Sequence, residues 1–145
     1  MKQYTAEELN ALSIEEIVAL LMQTQKQNTQ VVLNEIVDWA KESVAQLGCS
    51  PCTLAVGIGR CHFEATAMML QAQVDGRYDK QSTMEREITR RVNEVNIGPL
   101  GLGGSTSVIA TFIRIGSHRA SGVRIICVRP ACCFEPRVAT VQLQA

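Results

Sequence analysis

The chain has 145 residues, 46% of them hydrophobic and 19% charged, the size and make-up of one globular domain that buries a core without disulfides. Fourteen basic residues balance fourteen acidic ones, so nucleic acid, which demands a basic surface, is not an expected partner. No apolar run approaches the roughly 18 residues a membrane span needs, and residues 1–8 lack the apolar stretch of a signal peptide, so a cytoplasmic location is expected.

In chain order, the hydroxyl-to-Glu spacings Thr5/Glu8 and Ser13/Glu16 both have the form of a capping box. A helix is predicted over 13–25, with Ile14, Ile17, Val18 and Leu21 as its apolar stripe. A second is predicted over 28–47, with Val32, Ile36, Trp39, Ala40 and Val44 on one side and Gly48 as its stop. Residues 53–56 are a short apolar run ending at Gly57 and read as a buried strand. A helix follows over 61–73 with Phe63, Ala67, Met68 and Leu70 inward, and His62 starts it. Gly76 ends that helix, and 76–82 is a loop. Another helix is predicted through 83–95, with Met84, Ile88, Val92 and Val95 on one face. Glu85, Arg86, Glu87, Arg90 and Arg91 form its solvated face. A glycine-rich loop precedes three β-rich runs at 106–115, 123–128 and 138–143. This order predicts an α/β or α+β fold: a small mixed sheet covered by about four helices, with two additional N-terminal helices. The whole is expected to be a single domain, with 1–47 a helical segment and 48–145 the α/β core.

Two glycine-bearing segments stand out. Val56-Gly57-Ile58-Gly59-Arg60 lies between a strand and a helix, where bare backbone and a helix N-terminus favour an anion; Arg60 adds a fork suited to a carboxylate. A tight turn with no ligand explains the same residues, and His62 breaks the dinucleotide fingerprint. Residues 97–107 hold four glycines within seven positions, which costs backbone entropy that a plain connector has no need of. A Walker A loop requires Lys where Ser105 stands, so triphosphate binding is disfavoured.

The chain has six cysteines, and a reducing compartment argues against disulfides. Cys127, inside an apolar strand, reads as a buried small hydrophobe. Cys49 and Cys52 have metal-ligand spacing, but a zinc ribbon needs a second such pair, and Cys132 and Cys133 are adjacent.

Cys49-Ser50-Pro51 with Val56-Gly57-Ile58-Gly59, then Ile97-Gly98-Pro99-Leu100-Gly101-Leu102-Gly103-Gly104-Ser105-Thr106, then His118, then Cys133 with Arg137 follow a known order. In it the sequence resembles the iron–sulfur hydro-lyases, the class I fumarases and alpha subunits of L-tartrate dehydratases. The resemblance runs from about residue 36 to 143. It implies a [4Fe-4S] cluster held by cysteine thiolates, with one iron free to act as a Lewis acid on a hydroxy-dicarboxylate. Carried over by position, Cys49 and Cys133 are cluster ligands, and Cys52 is a candidate for the third, with Cys61, Cys132 or a partner chain as alternatives. Gly57, Gly59, Gly101, Gly103, Gly104, Ser105 and Thr106 are expected around the ligand. By the same carry-over His118 would face the substrate, and Arg137 would support the site or bind a carboxylate; Arg60, from its place after the glycine turn and not from the family, is a further candidate for a carboxylate.

The sequence departs from the family in four ways. The family's Cys-Gln-Asp-Thr-Gly motif is not in it, nor is the family's second module. Cys52 stands where the family has a second proline, and Arg60 where it has a small residue. Two functions follow: a fumarase-like hydro-lyase acting on a small dicarboxylate, or a non-catalytic or partner-dependent subunit binding a dicarboxylate or cluster. The N-terminal helices are candidates for self-association, giving a homo-oligomer or a contact to a partner subunit.

Overall fold

The computed structural model describes residue 5 and residues 13–117, 124–133 and 139–143. By contact the chain divides into Met1–Asn34 and Glu35–Ala145. Helix α1, Ile14–Ala45, is continuous across that division, where two helices were expected. The residues around Lys26 include neither Gly nor Pro, so nothing ends the helix there. Thr24 and Thr29 instead return their hydroxyls to the carbonyls of Leu20 and Gln25, each at 2.9 Å. The predicted Ser13/Glu16 capping box is present: Ser13 N–H donates to Glu16 Oε2 at 2.8 Å, and Glu16 N–H to Ser13 Oγ at 3.3 Å. The Thr5/Glu8 box lies largely outside the described residues.

In the larger unit, three strands form one sheet in the order β2-β1-β3. Strand β1, Cys52–Gly59, is central. It pairs parallel with β2, Val108–Ile115, and antiparallel with β3, Ile125–Ala131. Between β1 and β2 come α2, His62–Asp75, α3, Thr83–Val92, and short 3-10 turns at Asn93–Val95 and Pro99–Gly101. Among the described residues there are thus three α-helices, fewer than the expected four plus two. Residues 139–143, expected in a last strand, form no regular structure.

Every residue of β1 is buried, because both its edges are paired and both its faces covered. Strand β1 runs through Gly57 and Gly59, which the sequence reading placed beyond the strand. A Cβ at Gly57 would run into the Ala65 carbonyl and the Met69 amide, and one at Gly59 would touch the Ala65 amide. These glycines let α2 lie directly on the strand backbone. The inward side of α2 is therefore Ala65, Met69 and Ala72, small where the approach is closest. Phe63, expected inside, is 85% exposed.

The alternate residues of β1, Cys52, Leu54, Val56 and Ile58, point to the other face. There the second half of α1 buries Ile36, Val37, Ala40 and Val44, each large side chain contributing about 1.5–3 kcal/mol. Trp39, expected on that side, is 58% exposed.

Helix α3 lies along β2 with Ile88 and Val92 buried. Ser82 and Glu85 form its capping box. Glu85, expected on a solvated face, is only partly exposed: its Oε1 accepts from Ile113 N–H of β2 at 2.9 Å. Arg90 fits the expected solvated face, pairing with Glu87 and Glu94. Lys41 of α1 reaches Glu94 at 3.1 Å.

Candidate functional site

Cys52 opens β1, and Cys49 sits three residues earlier in the turn leaving α1. β1 and β3 pair with Thr53 opposite Ala131, so the chain leaving β3 at Cys132 and Cys133 passes the start of β1. Thr53 Oγ1 donates to the Cys132 carbonyl at 3.1 Å, which fixes that exit. Cys49, Cys132 and Cys133 are exposed, while Cys52 is buried. Burial pushes the Cys52 thiol up to about 11, and the neighbouring Cys133 and Cys49 sulfurs add to the rise. The sheet register thus brings Cys133, about 80 residues further along the chain, toward the Cys49 and Cys52 pair.

The 98–106 loop lies against the same turn. It is closed by its own main chain: Gly103 N–H donates to Ile97 O at 2.7 Å, Leu102 N–H to Pro99 O at 3.1 Å, and Gly101 N–H to Gly98 O at 3.3 Å. Gly98, Gly101, Gly103 and Gly104 all have positive φ. Gly98 has a second requirement, since a Cβ there would run into the Gly103 carbonyl. Two serines fasten loop and cysteine turn together. Ser50 Oγ donates to Gly98 O at 2.6 Å, and its carbonyl accepts from Leu100 N–H at 2.9 Å. Ser107 Oγ accepts from Gly98 N–H at 3.0 Å, and its carbonyl accepts from Cys52 N–H at 3.0 Å. Asn93, just past α3, holds the far side. Its Oδ1 accepts from Ser107 and Val108 N–H at 2.8 and 2.7 Å, and its Nδ2 donates to Val108 O at 2.9 Å.

Ser50, Asn93 and Ser107 were not picked out from the sequence. For Asn93 and Ser107 the one available signal was a polar side chain at or near a glycine-rich segment, where a loop's main chain needs partners; Ser50, 48 residues from Gly98, carried no such signal. Residues 101–106 are exposed, so the expected ligand-facing set of Gly101, Gly103, Gly104, Ser105 and Thr106 stands open to solvent beside the thiols.

Gly57, Gly59 and Arg60 are elsewhere. Eight residues of extended chain separate Arg60 from Cys52, about 26 Å at roughly 3.3 Å per residue. Gly57 and Gly59 face α2. Arg60 Nε donates to Glu64 Oε2 at 3.0 Å, and Arg60 N–H donates to the same oxygen at 2.8 Å; these contacts hold the guanidinium more firmly charged. Cys61 is exposed at the N-cap of α2, and His62 is that helix's exposed first residue. Cys127 is half-buried, with Sγ 3.7 Å from Thr66 Oγ1, rather than sealed in the core. His118 and Arg137 lie outside the described residues.

Among the described residues no three His, Cys, Asp or Glu donors converge tightly enough to hold a metal ion. A cluster asks for something else: thiolates on separate irons at separate corners, hence spaced apart. Cys49, Cys52 and Cys133 offer that donor chemistry. The Cys133 and Cys49 sulfurs are near enough to Cys52 to oppose its ionisation, and a cationic core placed between them would relieve the repulsion.

The sequence profile of the fumarate hydratase (fumerase) family matches residues 14–142. A protein of Methanocaldococcus jannaschii, proposed as the alpha subunit of an L(+)-tartrate dehydratase, is 30% identical over 118 residues. That alignment takes in 75% of this chain and 40% of the archaeal protein's length.

Proposed function

The chain belongs to the fumarate hydratase (fumerase) family, and from that premise we propose that it is a hydro-lyase adding or removing water on a small dicarboxylate of the fumarate/malate or tartrate type. The observation that supports this most is the nearness of Cys52 to Cys49 and Cys133, with the glycine loop clasped to the same turn. Residues 48–145 are the working core in this reading.

Cys49, Cys52 and Cys133 are the residues that would hold a [4Fe-4S] cluster. Such a group, when bound, supplies a Lewis-acidic iron for the hydroxyl of the substrate. The remaining tasks fall to the chain. Gly101, Gly103 and Gly104 let the loop turn at positive φ, and its exposed Ser105 and Thr106 hydroxyls receive a carboxylate. The loop's internal hydrogen bonds, those of the Gly101 and Gly103 amides among them, hold its shape before substrate arrives. Arg137 is assigned the second carboxylate. His118 is assigned the proton on the carbon next to the departing hydroxyl. Arg60, at the far end of β1, is left outside this pocket.

A second reading is favoured by the length comparison: the archaeal relative is described as a subunit, and this chain covers 40% of it. On that reading the chain holds the cluster or the dicarboxylate, and a partner subunit completes the site.

The test is anaerobic reconstitution with ferrous iron and sulfide, followed by visible charge-transfer absorption, iron content and fumarate hydration. The enzyme reading expects iron binding and turnover, both lost in Cys49→Ser, Cys52→Ser and Cys133→Ser. Iron binding without turnover favours the subunit reading. A colourless protein with neither refutes both cluster assignments.

A further inference from the structure

A groove of about 530 Å³ runs between the second half of α1 and β3, lined by Glu35, Trp39 and Ser43 on one wall and Arg124, Ile126 and Val128 on the other. It is remote in composition from the thiol site and has the size of a small-ligand pocket. Residues 35, 39 and 43 are one turn apart along α1. Ile126 and Val128 pair with Ile58 and Val56 of β1, so they share the sheet face that α1 covers.

Three observations there ask for an occupant. Trp39, the single tryptophan of the chain, is 58% exposed although Val128 and Ile126 offer an apolar floor. The Arg124 Nε–H is covered yet hydrogen-bonded to nothing, so the present rotamer leaves a donor of the guanidinium fork unused. Glu35, on the facing wall, makes no ion pair among the described residues.

These charges fall at one end of the groove. α1 turns back into β1 through residues 46–51, so its Glu35 end lies toward Gly59, and Ile125 of β3 pairs with Gly59. Arg124 and Glu35 therefore both lie toward this end of the groove, opposite in sign and with no ion pair between them. A simple anion would meet Arg124 and be opposed by Glu35; a simple cation would meet the reverse. A zwitterion satisfies both.

We propose that this groove binds an apolar α-amino acid, with its carboxylate on Arg124, its ammonium on Glu35 and its side chain over Trp39, Ile126 and Val128. A rotation of the Arg124 side chain presents two parallel N–H donors to the carboxylate. Stacking on the indole suits an aromatic side chain best. This site is independent of the cluster and of the dicarboxylate reading.

Trp39 reports its own occupancy. The experiment is titration of the iron-free protein with L-phenylalanine, followed by tryptophan fluorescence, beside N-acetyl-phenylalanine, which lacks the ammonium, and phenylalaninamide, which lacks the carboxylate. The expected result is a saturable change with L-phenylalanine and at least tenfold weaker binding of both analogues. Arg124→Gln and Glu35→Gln, checked for native circular dichroism, are each expected to weaken L-phenylalanine at least tenfold. No saturable change, or equal binding of all three ligands, overturns the proposal. So does wild-type affinity in both variants. Fumarate is expected to leave the fluorescence unchanged, so the outcome is separable from that of the hydro-lyase tests.

Discussion

Replacing Gly57 with alanine tests the central packing of this fold. The new methyl group would land on the Ala65 carbonyl and the Met69 amide, which are four residues apart and so are partners in one hydrogen bond of α2. It cannot fit without lifting the helix off the strand or prying that bond open. Overpacking of this kind costs about 1–3 kcal/mol, and a lost main-chain hydrogen bond adds about 0.5–1.5 kcal/mol. The expected loss is about 2–4 kcal/mol, a large share of the roughly 5–15 kcal/mol that stabilises a domain. Urea unfolding followed by circular dichroism measures it: the midpoint falls while the slope holds. At roughly 2–4 °C per kcal/mol for a chain of this size, Tm drops by about 5–15 °C. Gly48→Ala is the control, since nothing lies within 4 Å of a Cβ there. A Gly57→Ala protein within about 0.5 kcal/mol of the parent would refute the close approach of α2 to β1.

Asn93→Ala removes three hydrogen bonds to the start of β2 and is expected to cost about 2–4 kcal/mol at roughly 0.5–1.5 kcal/mol each. Hydrogen exchange at the Ser107 and Val108 amides is expected to accelerate ahead of that at β1, and unchanged exchange would contradict the assigned contacts. In the iron-free protein at pH 8, iodoacetamide is expected to modify Cys49 and Cys133 well before Cys52. Mass spectrometry reads the order, and early labelling of Cys52 would show its thiol is neither buried nor raised. Because folding holds that thiol up near 11, above the ordinary cysteine value of about 8.5, its contribution to stability is complete below the ordinary value. That contribution is lost as pH rises through about 11. Urea midpoints measured across that range are expected to fall less steeply in Cys52→Ala than in the parent.

Much of the architecture could be read from periodicity and punctuation. Gly76 ended α2 where expected, and Ser13 capped α1. What escaped the reading depended on neighbours distant in sequence. Gly57 and Gly59 look like a turn when taken locally; only the presence of α2 explains why a strand would carry them. Phe63 and Trp39 follow helical spacing for burial, yet spacing says nothing about which face the sheet occupies. Glu85 looks like one more charge on a polar face until β2 brings Ile113 N–H to it. At the thiol site, the cysteines and the glycine loop were visible as motifs. The clasp formed by Ser50, Asn93 and Ser107 was not, because common polar side chains acquire a role there only through main-chain partners several elements away.

The clasp has a consequence for damage. Ser50 lies next to Cys49, and its hydroxyl and carbonyl both grip the glycine loop. A bulky oxidation product or adduct on Cys49 would strain that grip directly. Injury to the sulfur would then surface as a protease nick between residues 98 and 106, a scar readable on a gel even in molecules that never carried iron.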